Sequence, residues 1–220
     1  MNRQAHWNQV YQTKAPDDVS WFQTRPTLSL KLIANTCIAR DNGIIDVGGG
    51  ASPLVDCLLD AGFQQIAVLD LSAAALEQSK RRLGKRAAAV TWFEADVTKF
   101  RPAQTFTAWH DRAVFHFLTD PEDRAKYVET LKHVLTPGGH VIIATFAKDG
   151  PQRCSGLEIV RYDAAGIGTE LGSEFRLAEQ VNETHVTPWN SGQKFIYCRF
   201  IRESVRSRES AGQTAQNSKS

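Results

Sequence analysis

Residues 43–57 read GIIDVGGGASPLVDC. An apolar run from Gly43 to Val47 leads into Gly48-Gly49-Gly50, and a helix-like pattern follows. Consecutive glycines are costly to order, so something must approach this backbone closely. Ser52 can cap the helix, Pro53 fits its first turn and Gly62 can stop it. The stretch therefore reads as strand, glycine turn and helix N-terminus. Bare amides and the helix dipole can receive a ligand there.

The same punctuation continues outward. QIAVLDL is a second strand, and SAAALEQSKRRLG a helix capped by Ser72 and ended near Gly84. AVTWFEADV is a third strand, and TFTAWHDRAVFHF begins as a fourth. TDPEDRAKYVETLKHVLTPGG is a helix capped by Asp120 or Thr119, striped by Tyr127, Val128, Leu131, Val134 and Leu135, and ended by Pro137-Gly138-Gly139. HVIIATF then reads as a buried strand. Strands alternating with helices imply an α/β fold, a parallel sheet covered on both faces. The end departs from this: EFRLAEQVNETHV and QKFIYCRFI are joined by TPWNSG, which predicts a terminal hairpin and an antiparallel strand.

Bulk properties bound the function. A chain of 220 residues suffices for one sizeable domain, here read as 1–202 with a cover segment at 1–27 and a disordered polar tail at 203–220. A net charge of +2 gives no reason to expect nucleic acid or a membrane surface as partner. No apolar run is long enough to span a bilayer, and the first residues lack a signal-peptide core, which points to a cytoplasmic protein. The four cysteines are scattered, against a zinc site or disulfide framework, and no metal is expected.

The ligand can be narrowed by what the glycine turn lacks. Pro53 stands where a dinucleotide fingerprint carries its third glycine, and no Gly-Lys-Ser/Thr marks a phosphate loop. Three acids, Asp46, Asp70 and Asp96, close three successive strands. Asp70 can accept from the vicinal hydroxyls of a ribose, and Asp96 from an adenine amine beside the Val97 amide. A glycine turn without a lysine, ringed by acceptors, suits S-adenosylmethionine, a cationic nucleoside without phosphate.

IIDVGGGAS, IAVLDLS, FEADVT and LKHVLTPGGHVII, in order, resemble the motifs of class I S-adenosylmethionine-dependent methyltransferases over most of residues 40–147. Ser52 replaces the third glycine many members carry. The resemblance implies a Rossmann-like, doubly wound seven-stranded sheet ordered 3-2-1-4-5-7-6 with strand 7 antiparallel. It implies that Asp46, Gly48, Gly49 and Gly50 border the methionine part, with the His110 backbone beside them. Asp70 would hold the ribose, Leu71 would pack on the adenine, and Asp96 and Val97 would read its edge. HWNQVYQTKAPDDVSWFQTRP resembles the N-terminal cover of thiopurine-type enzymes and of some that modify protein lysines. Tyr11, Trp21 and Arg25 would close over the cofactor, or the aromatics anchor a helix. WHDRAVFHFLTDPEDRAKYV resembles the thiopurine-type Asp-Arg stretch.

The acceptor should meet the end of strand four and the loop after strand five. His116 is the candidate base or a core histidine. Asp111 and Arg112 form an internal ion pair, or Arg112 binds an acidic acceptor. Beyond strand five, Arg153, Cys154, Arg161 and Tyr162 are candidate acceptor contacts, with Cys154 either a low-pKa thiol beside Arg153 or a plain cysteine. A small-molecule acceptor is the reading adopted, with a monomer or homodimer expected. The alternatives are a protein lysine methyltransferase and a non-catalytic binder of S-adenosylmethionine.

Overall fold

The computed structural model describes residues 2–15 and 17–204. The expected tail lies outside them from residue 205 on. Glu203, placed in that tail, is instead held: its amide donates to the Glu174 carbonyl at 2.8 Å and its carboxylate pairs with Arg176 at 3.3 Å.

Two helices precede the sheet, α1 (Arg3–Thr13) and α2 (Thr27–Ala34). Then come β1 (Gly43–Val47), α3 (Leu54–Asp60), β2 (Gln65–Asp70), α4 (Ala73–Leu83), β3 (Val90–Glu94), β4 (Phe106–Arg112), α5 (Pro121–Val134) and β5 (Leu135–Phe146). A short hairpin pairs Arg153–Cys154 with Leu157–Glu158, and α6 (Ala164–Leu171), β6 (Phe175–Val186) and β7 (Gly192–Arg202) follow. The sheet order is 3-2-1-4-5-7-6, with β7 antiparallel to both neighbours, as the resemblance implies.

Strand alternation divides the core. Ile44, Ile66, Val68 and Ala108 pack against Leu32, Leu54, Leu58 and Leu76 of α2, α3 and α4. Ile45, Val47, Leu69 and Trp109 pack on the opposite face against Tyr127, Leu131, Ile167 and Leu171 of α5 and α6. Successive side chains of a strand point to opposite faces, so each inner strand feeds both layers and reads as continuously apolar.

One boundary differs from its expectation. Helix α5 ends at Val134, and Pro137-Gly138-Gly139 lies inside β5 rather than closing the helix. Partners jump from Phe106↔Leu135 to Ala108↔His140 there. Proline brings no amide to the ladder, and Gly138 sits at φ +78°, so the chain bulges before pairing resumes. No described helix is long and apolar enough to cross a membrane.

Candidate active site

The glycine turn sits where β1 ends, and what crowds it is the chain itself. A Cβ on Gly49 would lie 2.1 Å from Asp46 Oδ2. One on Gly50 would lie 2.5 Å from the Ala75 Cβ and 2.6 Å from Asp70 Oδ2. The missing side chains let two carboxylates and the start of α4 close against the loop. Gly48, at φ +70°, turns the chain into a cavity over the strand tips.

The acids form a staircase, not a row. Asp46 is level with Val68, and Asp70 with Glu94, so Asp46 is deepest and Asp96 lies two residues beyond β3. Asp46 Oδ1 meets His110 Nδ1 at 2.7 Å, while its Oδ2 is buried without a partner. Asp70 accepts from the amides of Gly50 (3.0 Å) and Ser72 (2.8 Å). Burial outweighs these bonds and raises its pKa to about 6. Asp96 Oδ1 accepts from the amide and hydroxyl of Thr98, an Asx turn. Leu69, Leu71, Ala95, Val97 and Leu118 complete an apolar slot beside these acids.

A roof of aromatic rings covers the other end. Trp7 packs edge-on against Phe117 at 5.0 Å and Trp21 at 5.8 Å, and Tyr11 against Trp21 at 6.4 Å. Trp7 and Tyr11 ride on α1, of which only Val10 is fully buried. Polar bonds dock it: Ser72 Oγ donates to Asn8 Oδ1 at 2.8 Å, Gln78 Nε2 to the Tyr11 carbonyl at 2.7 Å, and Arg3 pairs with Asp123. A cavity open to solvent lies below.

Arg112, at the end of β4, lines this cavity and the smaller one beside Gly49 and Pro53. Its Nε donates to Tyr197 Oη and its Nη1 to the Trp21 carbonyl, each at 2.8 Å, and the guanidinium lies 5.0 Å over the Phe195 ring. Nη2 is shut from solvent and has no partner. Among the described residues no carboxylate pairs with this cation. Ala113, next in the chain, adopts φ +73° in the cavity wall, a left-handed backbone that a non-glycine residue adopts at a cost.

Several expected roles need correction. Asp111 does not pair with Arg112, because neighbours on a strand face opposite sides. Its carboxylate takes the Val114 and Phe115 amides and the Tyr127 hydroxyl in the core. His116 is fully buried between the Phe117 and Phe146 rings and lines neither cavity. Burial, then the Arg112 charge, push its pKa down to about 3, which makes it a poor base. Cys154 does line the cavity, but burial raises its pKa to about 11, the opposite of an activated thiol. Arg25 stands at the outer surface with its Nη1 3.9 Å from Cys57 Sγ, away from the cofactor cavity. Arg153 is exposed near Glu158, Arg161 bonds the Gly150 carbonyl, and Tyr162 packs on Phe115 in the core. Trp7, Val114 and Phe117 are cavity residues that the site assignment from sequence missed. Trp7 lies in the quoted HWNQVYQTKAPDDVSWFQTRP stretch, and Val114 and Phe117 in WHDRAVFHFLTDPEDRAKYV, but neither stretch singled them out.

Residues 44–139 match the family described as "Methyltransferase domain". That segment, less than half of the chain, is similar to a methyltransferase domain. The mouse eEF1A lysine and N-terminal methyltransferase is 25% identical over 150 residues, 65% of this chain. The match spans only 21% of that relative's own length. Among solved structures, NodS, an N-methyltransferase from Bradyrhizobium japonicum WM9 in complex with S-adenosylhomocysteine, shares the fold at TM-score 0.71 and 18% identity. That alignment covers 90% of this chain and 98% of NodS. The Burkholderia thailandensis 1,6-didemethyltoxoflavin-N1-methyltransferase does so at TM-score 0.70 and 15% identity, over 91% of this chain and 87% of that one. The finer likeness to thiopurine-type enzymes is not part of what these matches show.

The site fits S-adenosylmethionine on its own residues. The orphaned Asp46 Oδ2 suits an ammonium, and the cradle under Gly49 and Gly50 has no room for a Cβ. The free acceptor capacity of Asp70 and Asp96 beside an apolar slot suits a nucleoside.

Proposed function

We propose that the protein transfers a methyl group from S-adenosylmethionine to a small, flat acceptor bearing a negative charge. The buried Nη2 of Arg112, with no hydrogen-bond partner and no carboxylate in direct contact among the described residues, carries this reading. A cation in a dry wall is costly until an anion pairs with it. Edge-packed rings leave a slot suited to a planar molecule.

S-adenosylmethionine supplies the electrophilic methyl group when bound. Asp46 would hold its ammonium, Asp70 its ribose, and Leu71, Asp96 and Val97 its adenine. This chain's own contribution to the acceptor half is orientation by Arg112 and exclusion of water by the Trp7, Tyr11, Trp21 and Phe117 rings. Among the described residues no group there is tuned as a base: the thiol of Cys154 and the phenol of Tyr11 are held protonated by burial. The acceptor atom must therefore arrive already nucleophilic, as an anion or a neutral heteroatom of low basicity.

The name of the mouse relative suggests a protein lysine or N-terminal amine instead. An ammonium acceptor is opposed by the fixed guanidinium, and a protein segment by the α1 roof. The test is incubation with methyl-labelled S-adenosylmethionine and either small aromatic acids or a protein lysate. Label should enter the small acids, and Arg112→Gln should raise their KM about tenfold or more, a charged hydrogen bond's worth. Affinity for S-adenosylhomocysteine should stay within about twofold, since the lost contact is the acceptor's. Label in protein alone, or a variant that loses S-adenosylhomocysteine instead, overturns the reading.

A further inference from the structure

His110 lines the smaller cavity beside Gly49, together with Asp46 and Ser29. It lies level with Asp46 across the β1–β4 ladder, on the same face of the sheet. Its Nδ1 is 2.7 Å from Asp46 Oδ1, and its Nε2 is 2.9 Å from Ser29 Oγ. All three side chains are almost completely buried, at 2%, 2% and 0% exposure for Asp46, His110 and Ser29. Ser29 belongs to α2, which precedes the residues matched to the methyltransferase family. The three form a Ser–His–Asp chain ending at the glycine turn.

The chain looks like a hydrolytic triad, but its serine is fully buried on a helix and its hydroxyl is taken by the imidazole. Its free end is the carboxylate. Asp46 Oδ1 is taken by the imidazole, and Oδ2 is left without a partner beside Gly49. We infer that Ser29 and His110 are positioning residues: they fix the Asp46 carboxylate so that Oδ2 is held ready for the cofactor's ammonium. The inference rests on the cofactor reading above and adds two residues that act through Asp46.

The chemistry follows from the donor inventory. With the proton on Nδ1, His110 donates to Asp46 and accepts the Ser29 hydroxyl proton at Nε2. A ring bonded at both nitrogens can neither flip nor tilt, so the carboxylate it grips keeps one orientation. Remove the ring and a buried carboxylate has two unmet oxygens. It then turns toward whatever donor it can reach around the glycine turn that it packs against. A preset ammonium acceptor is lost without any change in the nucleoside slot formed by Leu69, Asp70 and Val97.

Dissecting the ligand separates positioning from general damage. Calorimetry on the full chain would compare S-adenosylhomocysteine with 5′-methylthioadenosine, which keeps the nucleoside and lacks the amino-acid arm. His110→Phe should weaken S-adenosylhomocysteine about tenfold or more, the scale of a charge-assisted hydrogen bond, and leave methylthioadenosine within about twofold. Ser29→Ala should give the same pattern more weakly. His110→Gln, whose amide can donate to Asp46 and accept from Ser29, should restore part of the loss. If His110→Phe does not fold, Ser29→Ala and His110→Gln decide. Equal losses for both ligands, or no loss for either, overturn the inference. A wild-type protein that binds neither ligand overturns the cofactor reading and this inference with it, and is told apart because no variant is needed to see it.

Discussion

Cofactor affinity should fall as the pH drops below 7, and Asp70 should be the cause. Its carboxyl is raised from 3.8 to about 6, first by burial, with the Ser72 and Gly50 amides working against the rise. In the free protein the sign is the unusual one for an acid. The folded state holds this proton more tightly than the unfolded chain. The resulting stability is complete below pH ~4 and is lost as the pH climbs through ~6, at a cost of roughly 3 kcal/mol by neutral pH. Ribose hydroxyls donate, so they want the ionised form. With a pKa of about 6, the ionised fraction goes from roughly nine-tenths at pH 7 to one-tenth at pH 5, and affinity should fall about tenfold. Isothermal titration with S-adenosylhomocysteine at pH 5, 6, 7 and 8 measures this directly. Asp111 is also raised to about 6 but faces the core, so it belongs to the stability curve rather than to the binding curve. Asp70→Asn should weaken binding at pH 7 and flatten the profile. A level profile in the wild type, or an unchanged slope in the variant, refutes the role given to Asp70.

Two further outcomes test the frame around the site. Gly50→Ala should cost about 1–3 kcal/mol in urea unfolding and at least tenfold in S-adenosylhomocysteine affinity, because the new methyl meets Ala75 and Asp70 at 2.5 and 2.6 Å. Unchanged stability would mean the loop is looser than its geometry. Tyr127→Phe removes a hydroxyl that donates to buried Asp111 at 2.7 Å and accepts from Trp109 Nε1 at 2.8 Å. Calorimetric melting should drop by roughly 4–8 °C, about 2 kcal/mol for a domain of this size, with cofactor affinity preserved. A loss of affinity without a change in melting would contradict the structural role given to Asp111.

The sequence by itself determined the sheet. Short apolar runs punctuated by Gly48-Gly49-Gly50, by Ser72 and by Pro121 are local signals, and strand alternation with helices leaves few topologies. The terminal hairpin was equally local, since TPWNSG separates two strand-like runs. The strand-end acids were legible for the same reason: a residue at a parallel strand's carboxyl end faces the cleft whatever its neighbours are. Tertiary structure alone decided which chemistry-bearing side chains meet. Adjacent in sequence, Asp111 and Arg112 part to opposite faces of β4, one capping the core turn and the other lining the cavity. His116 and Cys154 have reactive names, but burial holds the first neutral at about 3 and the second protonated to about 11. Trp7 reaches Phe117, and Ser29 reaches His110 and Asp46, across separations that no spacing rule spans. Local pattern fixes direction and periodicity, whereas proton affinity and partnership depend on what the rest of the chain brings alongside.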